Sequence, residues 1–198
     1  KKARKMLDEA GFTDCKIVVS NSLDENIIRD IIQQGAKIDS FGVGERLITA
    51  KSDPVFGGVY KLVAKEEDGI VVPKIKISEN PEKITNPHFK KVYRIYDKAT
   101  GTATADLMCV YDEVIDETKP LELFDPSETW KRKVCTDYTA KELLVPIFKN
   151  GECVYETPDI DEIRSYCKAQ IMTLWDEVKR FENPHRHYVD LSQKLWDI

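Results

Sequence analysis

Two short segments of this chain have the residue types and spacing of an anion site. Ser40-Phe41-Gly42-Val43-Gly44 ends an apolar strand in glycines, and Val18-Val19-Ser20-Asn21-Ser22-Leu23-Asp24-Glu25 ends the preceding strand in small polar residues. A helix is expected after each. Glycine lets backbone approach a ligand closely, and a helix start presents amides without intrahelical acceptors, so such a junction suits a phosphate group. The expected phosphate contacts are Ser20, Asn21, Gly42, Val43 and Gly44. Arg46, two residues on, is a further candidate through a charge-assisted bond, with a solvent-facing salt bridge as the other reading. Asp24 and Glu25 fit the first turn of a helix, where the macrodipole favours acidic residues. Asp24 serves a phosphate only if magnesium or a ribose hydroxyl stands between them. A tight turn without ligand also accounts for the glycines, and Ser and Asn bond their own backbone in plain turns.

The elements that must position these residues form a βα alternation. Ala3, Met6, Leu7 and Ala10 form a helical stripe that stops at Gly11. Ile17-Val18-Val19 reads as a buried strand. Ser22 with Glu25 fits a capping box that starts a helix through about Gln34, with Gly35 following it. Lys37–Phe41 is the next strand, and residues 45–50 begin another helical turn. The opening Lys1-Lys2-Ala3-Arg4 is already helical in pattern and has no capping residue, which reads as the interior of a longer protein. Parallel strands also need more neighbours than two.

After Pro54 the pattern changes to strands. Val59–Ala64, Val71–Ser78, Lys90–Tyr96 and Thr104–Tyr111 are expected to form an antiparallel sheet, with hairpin turns at Glu66–Gly69 and Lys98–Gly101. Residues 113–140 read as loops with short strands, and Leu143–Phe148 as a strand turning at Asn150-Gly151. A long helix is expected from Ile160 to Phe181, on the stripe Ile160, Ile163, Cys167, Ile171, Leu174, Trp175 and Val178. His185 and His187 read as a surface tail, since no carboxylate or cysteine stands at zinc spacing from them. Lys74, Lys76, Lys83, Lys90 and Lys91 read as a solvated sheet face.

The 198 residues carry a net charge of −5, with 41% hydrophobic and 33% charged residues. A mean hydropathy of −0.43 belongs to a soluble chain. No basic field for nucleic acid is present, and no apolar run approaches the roughly 20 residues of a membrane helix. Five cysteines without a C-x-x-C pair fit free thiols in a reducing cytoplasm.

Several segments together resemble the nicotinate phosphoribosyltransferase family. They are Val18-Val19-Ser20-Asn21 with Asp24-Glu25, Phe41-Gly42-Val43-Gly44 with Leu47-Ile48-Thr49, Gly57-Gly58-Val59-Tyr60-Lys61-Leu62-Val63, Lys76 through Thr85 with its Pro81-Glu82-Lys83, and His187-Tyr188-Val189-Asp190-Leu191-Ser192. The resemblance implies an α/β fold: part of an irregular type II phosphoribosyltransferase barrel (residues 1–56), then an antiparallel sheet domain (57–150) and a C-terminal helical segment (151–198). It implies attack of nicotinate on C1 of 5-phosphoribosyl-1-pyrophosphate, release of pyrophosphate with magnesium, ATP hydrolysis coupled through a phosphohistidine, a homodimer and a cytoplasmic location. The family's catalytic histidine and base pocket belong to sequence ahead of Lys1, so this chain is expected to hold none of them and to be inactive alone. One departure is visible. A Pro-Gly turn is expected after Thr85, and the chain has Asn86-Pro87-His88, without glycine's freedom at positive φ. A nicotinamide or quinolinate phosphoribosyltransferase of the same fold, or a non-catalytic phosphate-ligand or assembly module, are the competing readings.

Overall fold

A computed structural model describes residues 1–55, 57–80 and 83–198. Phe56, Pro81 and Glu82, the last two from the Pro-Glu-Lys-x-Thr block, lie outside the described residues. The chain divides into two compact units, Lys1–Tyr60 and Lys61–Ile198.

The first unit runs α1 (Lys2–Glu9), β1 (Val18–Ser20), α2 (Glu25–Gln33), β2 (Ser40–Gly42) and α3 (Glu45–Ile48). The two strands are parallel, with Val18 opposite Ser40 and Ser20 opposite Gly42. Arg4 ties α1 to the following loop by donating to Asp8 and to the carbonyls of Phe12 and Cys15. Asp39 closes the other side, accepting from the Ile17 amide at 2.8 Å. The cap of α2 differs from the expected one. Asp24, not Ser22, accepts from the Ile27 amide. Ser22 sits at φ 49°, outside the extended region a cap residue needs.

The second unit is built on a four-stranded sheet in the order β12-β6-β5-β9. Its strands are β5 (Lys90–Asp97), β6 (Ala103–Val110), β9 (Tyr138–Glu142) and β12 (Val189–Leu191). The first three are antiparallel, and β12 joins β6 in parallel. The tail of the chain thus returns to the sheet as an edge strand, where a purely helical segment was expected. Ser192 then caps α5 (Gln193–Trp196) and also bonds Glu113. Around the sheet lie the hairpins β3 (Ala64–Glu67) with β4 (Ile70–Pro73), β7 (Leu121–Asp125) with β8 (Glu128–Cys135), and β10 (Phe148–Lys149) with β11 (Glu152–Cys153). Ile95, Ala105, Leu107, Leu123 and Tyr138 form one core cluster. Val110, Phe124, Leu191 and Leu195 form a second.

Several expected boundaries move for identifiable reasons. The alternation of Lys74 to Ile77 has no partner strand, and Ile77 stays exposed, so β4 ends at Pro73. The 113–140 segment is mostly strand. Nearly every residue of β8 is exposed, so its charged sequence carries no period of two. Residues 143–147 lie outside any strand, whereas the turn at Asn150-Gly151 forms with both residues at positive φ. The long helix stops early: α4 (Ile160–Met172) ends where the Thr173 carbonyl accepts from the Ala103 amide.

The Asn86-Pro87-His88 turn gives the departure from a Pro-Gly turn a concrete cost. His88 holds φ 76°, a conformation that favours glycine. Lys90 fixes it by donating to the carbonyls of Asn86, Pro87 and His88 at 2.7, 3.1 and 2.8 Å. Lys90 is therefore a structural cation in this turn, not part of a solvated face. His88→Gly is expected to raise stability by about 1 kcal/mol, the left-handed strain outweighing glycine's chain entropy. Urea unfolding of the two proteins, compared at equal slope, checks this.

Candidate functional site

The two loops singled out from sequence meet. Ser20 and Gly42 are directly opposed in the β1–β2 ladder, and the chain beyond each lines one cavity of about 440 Å³. Ser20, Asn21, Gly42, Val43, Gly44 and Arg46 all contribute to its wall. Asn21 and Ser22 carry φ of 99° and 49°, two consecutive non-glycine residues at positive φ. Such strain persists only where the surroundings enforce it, and it clusters at ligand sites.

The two glycines serve different needs. A Cβ on Gly42 would stand 3.1 Å from the Ser20 Cβ, so its bareness lets the strands approach. A Cβ on Gly44 would meet no atom within 4 Å. Gly44 also caps α3, its carbonyl accepting from the Leu47 and Ile48 amides at 3.0 and 3.1 Å. The Glu45 and Arg46 amides of that first turn have no intrahelical acceptor.

Charge at the site is organised around Asp24. Its carboxylate accepts from Ile27 N at 2.9 Å and pairs with the Arg46 guanidinium. The Ile27 amide, against the cost of desolvation, and then Arg46 hold the Asp24 carboxyl below its ordinary value. Asp24 is therefore spent on capping and on orienting Arg46. Lys51 is the cation that sequence reading missed. It lines the same cavity and has no ion-pair partner among the described residues. Ala50, at φ 46°, turns the chain so that the Lys51 amide bonds the Arg46 carbonyl. An alanine at positive φ leaves no mark in a sequence, so nothing there singled out Lys51.

Among the described residues no group of three His, Cys, Asp or Glu side chains is placed to hold an ion.

Residues 89–198 match the family of the nicotinate phosphoribosyltransferase C-terminal domain. The chain belongs to this family. Its similarity continues through the first unit: a nicotinate phosphoribosyltransferase of Bacillus subtilis (strain 168) is 48% identical over 99% of this chain. One of Caenorhabditis elegans is 35% identical over 94%. The chain spans 40% and 33% of those proteins. The crystal structure of human nicotinic acid phosphoribosyltransferase has the same fold, with TM-score 0.68 at 21% identity, over 98% of this chain and 34% of the human one. No helix among the described residues is long and apolar enough to cross a membrane.

Within the family's C-terminal domain, the tail motif His187–Ser192 acquires a structural account. His187 is half-buried with both ring nitrogens out of solvent, contrary to the surface tail expected, and its Nε2 lies 3.4 Å from Asp106 Oδ1 without an aligned hydrogen bond. Arg94 grips the same carboxylate with two bonds, at 2.8 and 2.9 Å. Burial pushes the Asp106 carboxyl up, but Arg94 and His187 outweigh it and hold the group at about 2.

Proposed function

We infer that this chain is the phosphate-holding and C-terminal part of a nicotinate phosphoribosyltransferase, which joins nicotinate to 5-phosphoribosyl-1-pyrophosphate and releases pyrophosphate. The observation that carries the reading is the convergence of Ser20–Asn21 and Gly42–Gly44 on one cavity with Arg46 and Lys51. In this reading unit one is a piece of a type II phosphoribosyltransferase barrel, and the cavity takes the 5′-phosphate of substrate and product. The nicotinate ring nitrogen forms a bond to C1 as the C1–pyrophosphate bond breaks. A phosphate fixed at the far end of the ribose holds C1 in line for that exchange, which is a positioning contribution. Amides of residues 42–46 and the two cations meet the dianion. No residue described here touches the reacting carbon in this reading, and the groups that polarise the leaving pyrophosphate lie elsewhere in the protein. Coupling to ATP hydrolysis, magnesium carried in with the substrate phosphates, a homodimer and a cytoplasmic location complete the proposal.

Two measurements test it. With the intact protein, nicotinate mononucleotide should form from nicotinate and the pyrophosphate donor, with nicotinamide and quinolinate acting neither as substrates nor as strong competitors. Preferential use of either would assign the fold-mate instead. Lys51→Ala is expected to weaken nicotinate mononucleotide binding about tenfold, the loss of one bond to a charged group. Arg46→Ala should weaken it further, because Asp24 is then left beside the phosphate without its counter-charge. Calorimetric titration gives both constants, and equal affinity in both variants would remove the cations from the site.

A further inference from the structure

The sheet unit holds a second cavity, of about 470 Å³, to which the proposed function assigns no role. Its floor is apolar, from Ala105 and Leu123 of the first core cluster. One wall is aromatic: Trp175 and Tyr188 line it with ring centroids 6.0 Å apart, and His185, outside the lining, packs against both at 5.9 and 5.7 Å. Trp130 of the β7–β8 hairpin contributes to the lining and stays 75% exposed. Asp190 opens into the same space.

Asp190 is the unexplained group. It is only 6% exposed, and its carboxylate takes part in no hydrogen bond or ion pair with the described residues. In the parallel register with β6 it stands opposite Leu107, a member of the apolar core cluster. Burial, with the Asp125 carboxylate adding to it, pushes the Asp190 carboxyl up to about 6. A desolvated acceptor without a partner costs stability, and such groups in native folds call for a ligand or a role.

The lining selects the ligand. Two carboxylates, Asp125 and Asp190, repel acids at the inner end. Of the three cations in the lining, Lys131 and Arg132 pair with Glu128 and Glu122, which leaves Lys133 alone against the two carboxylates. A flat ring suits Trp175 and whatever part of Trp130 the Lys131 ammonium, 5.1 Å from its ring centroid, leaves uncovered, and the volume is that of an ordinary small-molecule site. We propose that this cavity is a second binding site for a flat heteroaromatic ligand that donates N–H hydrogen bonds, of the aminopurine nucleoside class, with its amine on Asp190 and its ring against the indoles.

Adenosine is the probe, titrated calorimetrically into the intact protein saturated with nicotinate mononucleotide. Asp190→Leu removes the acceptor while keeping the volume, and Trp130→Ala removes stacking at an exposed position whose loss does not threaten the fold. Each is expected to weaken adenosine at least tenfold, in keeping with the size of base–indole stacking and of a bond to a buried charge. Absence of binding to the unmodified protein overturns the proposal. So does binding that either substitution leaves unchanged, because adenosine is then held elsewhere.

Discussion

Gly44→Val in the intact protein is expected to weaken nicotinate mononucleotide binding about a hundredfold while lowering Tm far less than Gly42→Val does. The two halves of that expectation come from the same geometry. A Cβ at Gly44 meets nothing within 4 Å, so the substitution meets no clash at its first atom. The space it enters lines the cavity between the strand ends, and displacing a bound phosphate from two of its hydrogen bonds there costs on the order of a hundredfold, about tenfold for each bond to the charged group. Gly42→Val is the contrasting case. Its Cβ falls 3.1 Å from that of Ser20, so the strands must part, and stability falls together with binding. If the glycines served packing alone, Gly44→Val would leave affinity untouched. Calorimetric titration alongside a melting curve separates the two readings, since a large fall in affinity with a small fall in Tm follows only from a ligand.

The largest expected effect on stability is at Asp106. Asp106→Ala leaves Arg94 as a buried guanidinium without its carboxylate and should cost about 3 kcal/mol, the lower end for a broken buried pair because Arg94 keeps some exposure. The pair also sets an acid limit. The Asp106 carboxyl lies at about 2 in the fold, against an ordinary value of 3.8. Its contribution, about 2 kcal/mol, is fully present above pH 4 and is lost as pH falls from there towards 2. Asp190 runs in the opposite sense. With its carboxyl raised to about 6, the fold prefers the protonated form, and stability from this group declines as pH rises from about 4 to 6. Urea denaturation between pH 2 and 7 should therefore show Asp106→Ala losing most of its deficit at the acid end. A deficit independent of pH would mean that packing, not charge, carries the effect.

What the sequence made legible follows from how local the signals are. The βα units of the first sixty residues, the hairpin turns at Asp68-Gly69 and Gly101, and the meeting of Ser20 with Gly42 all depend on short-range patterns, and all are present. The cations were only half legible. Arg46 stands beside Gly44 in sequence, whereas Lys51 reaches the cavity through a positive φ at Ala50 that alanine does not advertise. The tail was the least legible part. A strand of three residues such as β12 is defined by its neighbour β6, some eighty residues earlier in the chain, so His187 read as surface when its ring nitrogens are buried, and the burial of Asp190 left no sign. The resemblance supplied the family, and the packing supplied the reasons for the motif.

Hydrogen exchange across residues 18–46 of the intact protein, with and without nicotinate mononucleotide, tests the central claim most directly. The account predicts that the amides of residues 42–46 become protected on binding, while those of α1 exchange as before. Saturable binding of the nucleotide with no change in exchange at Gly42 through Arg46 would contradict it, and would place the phosphate somewhere other than these two loops.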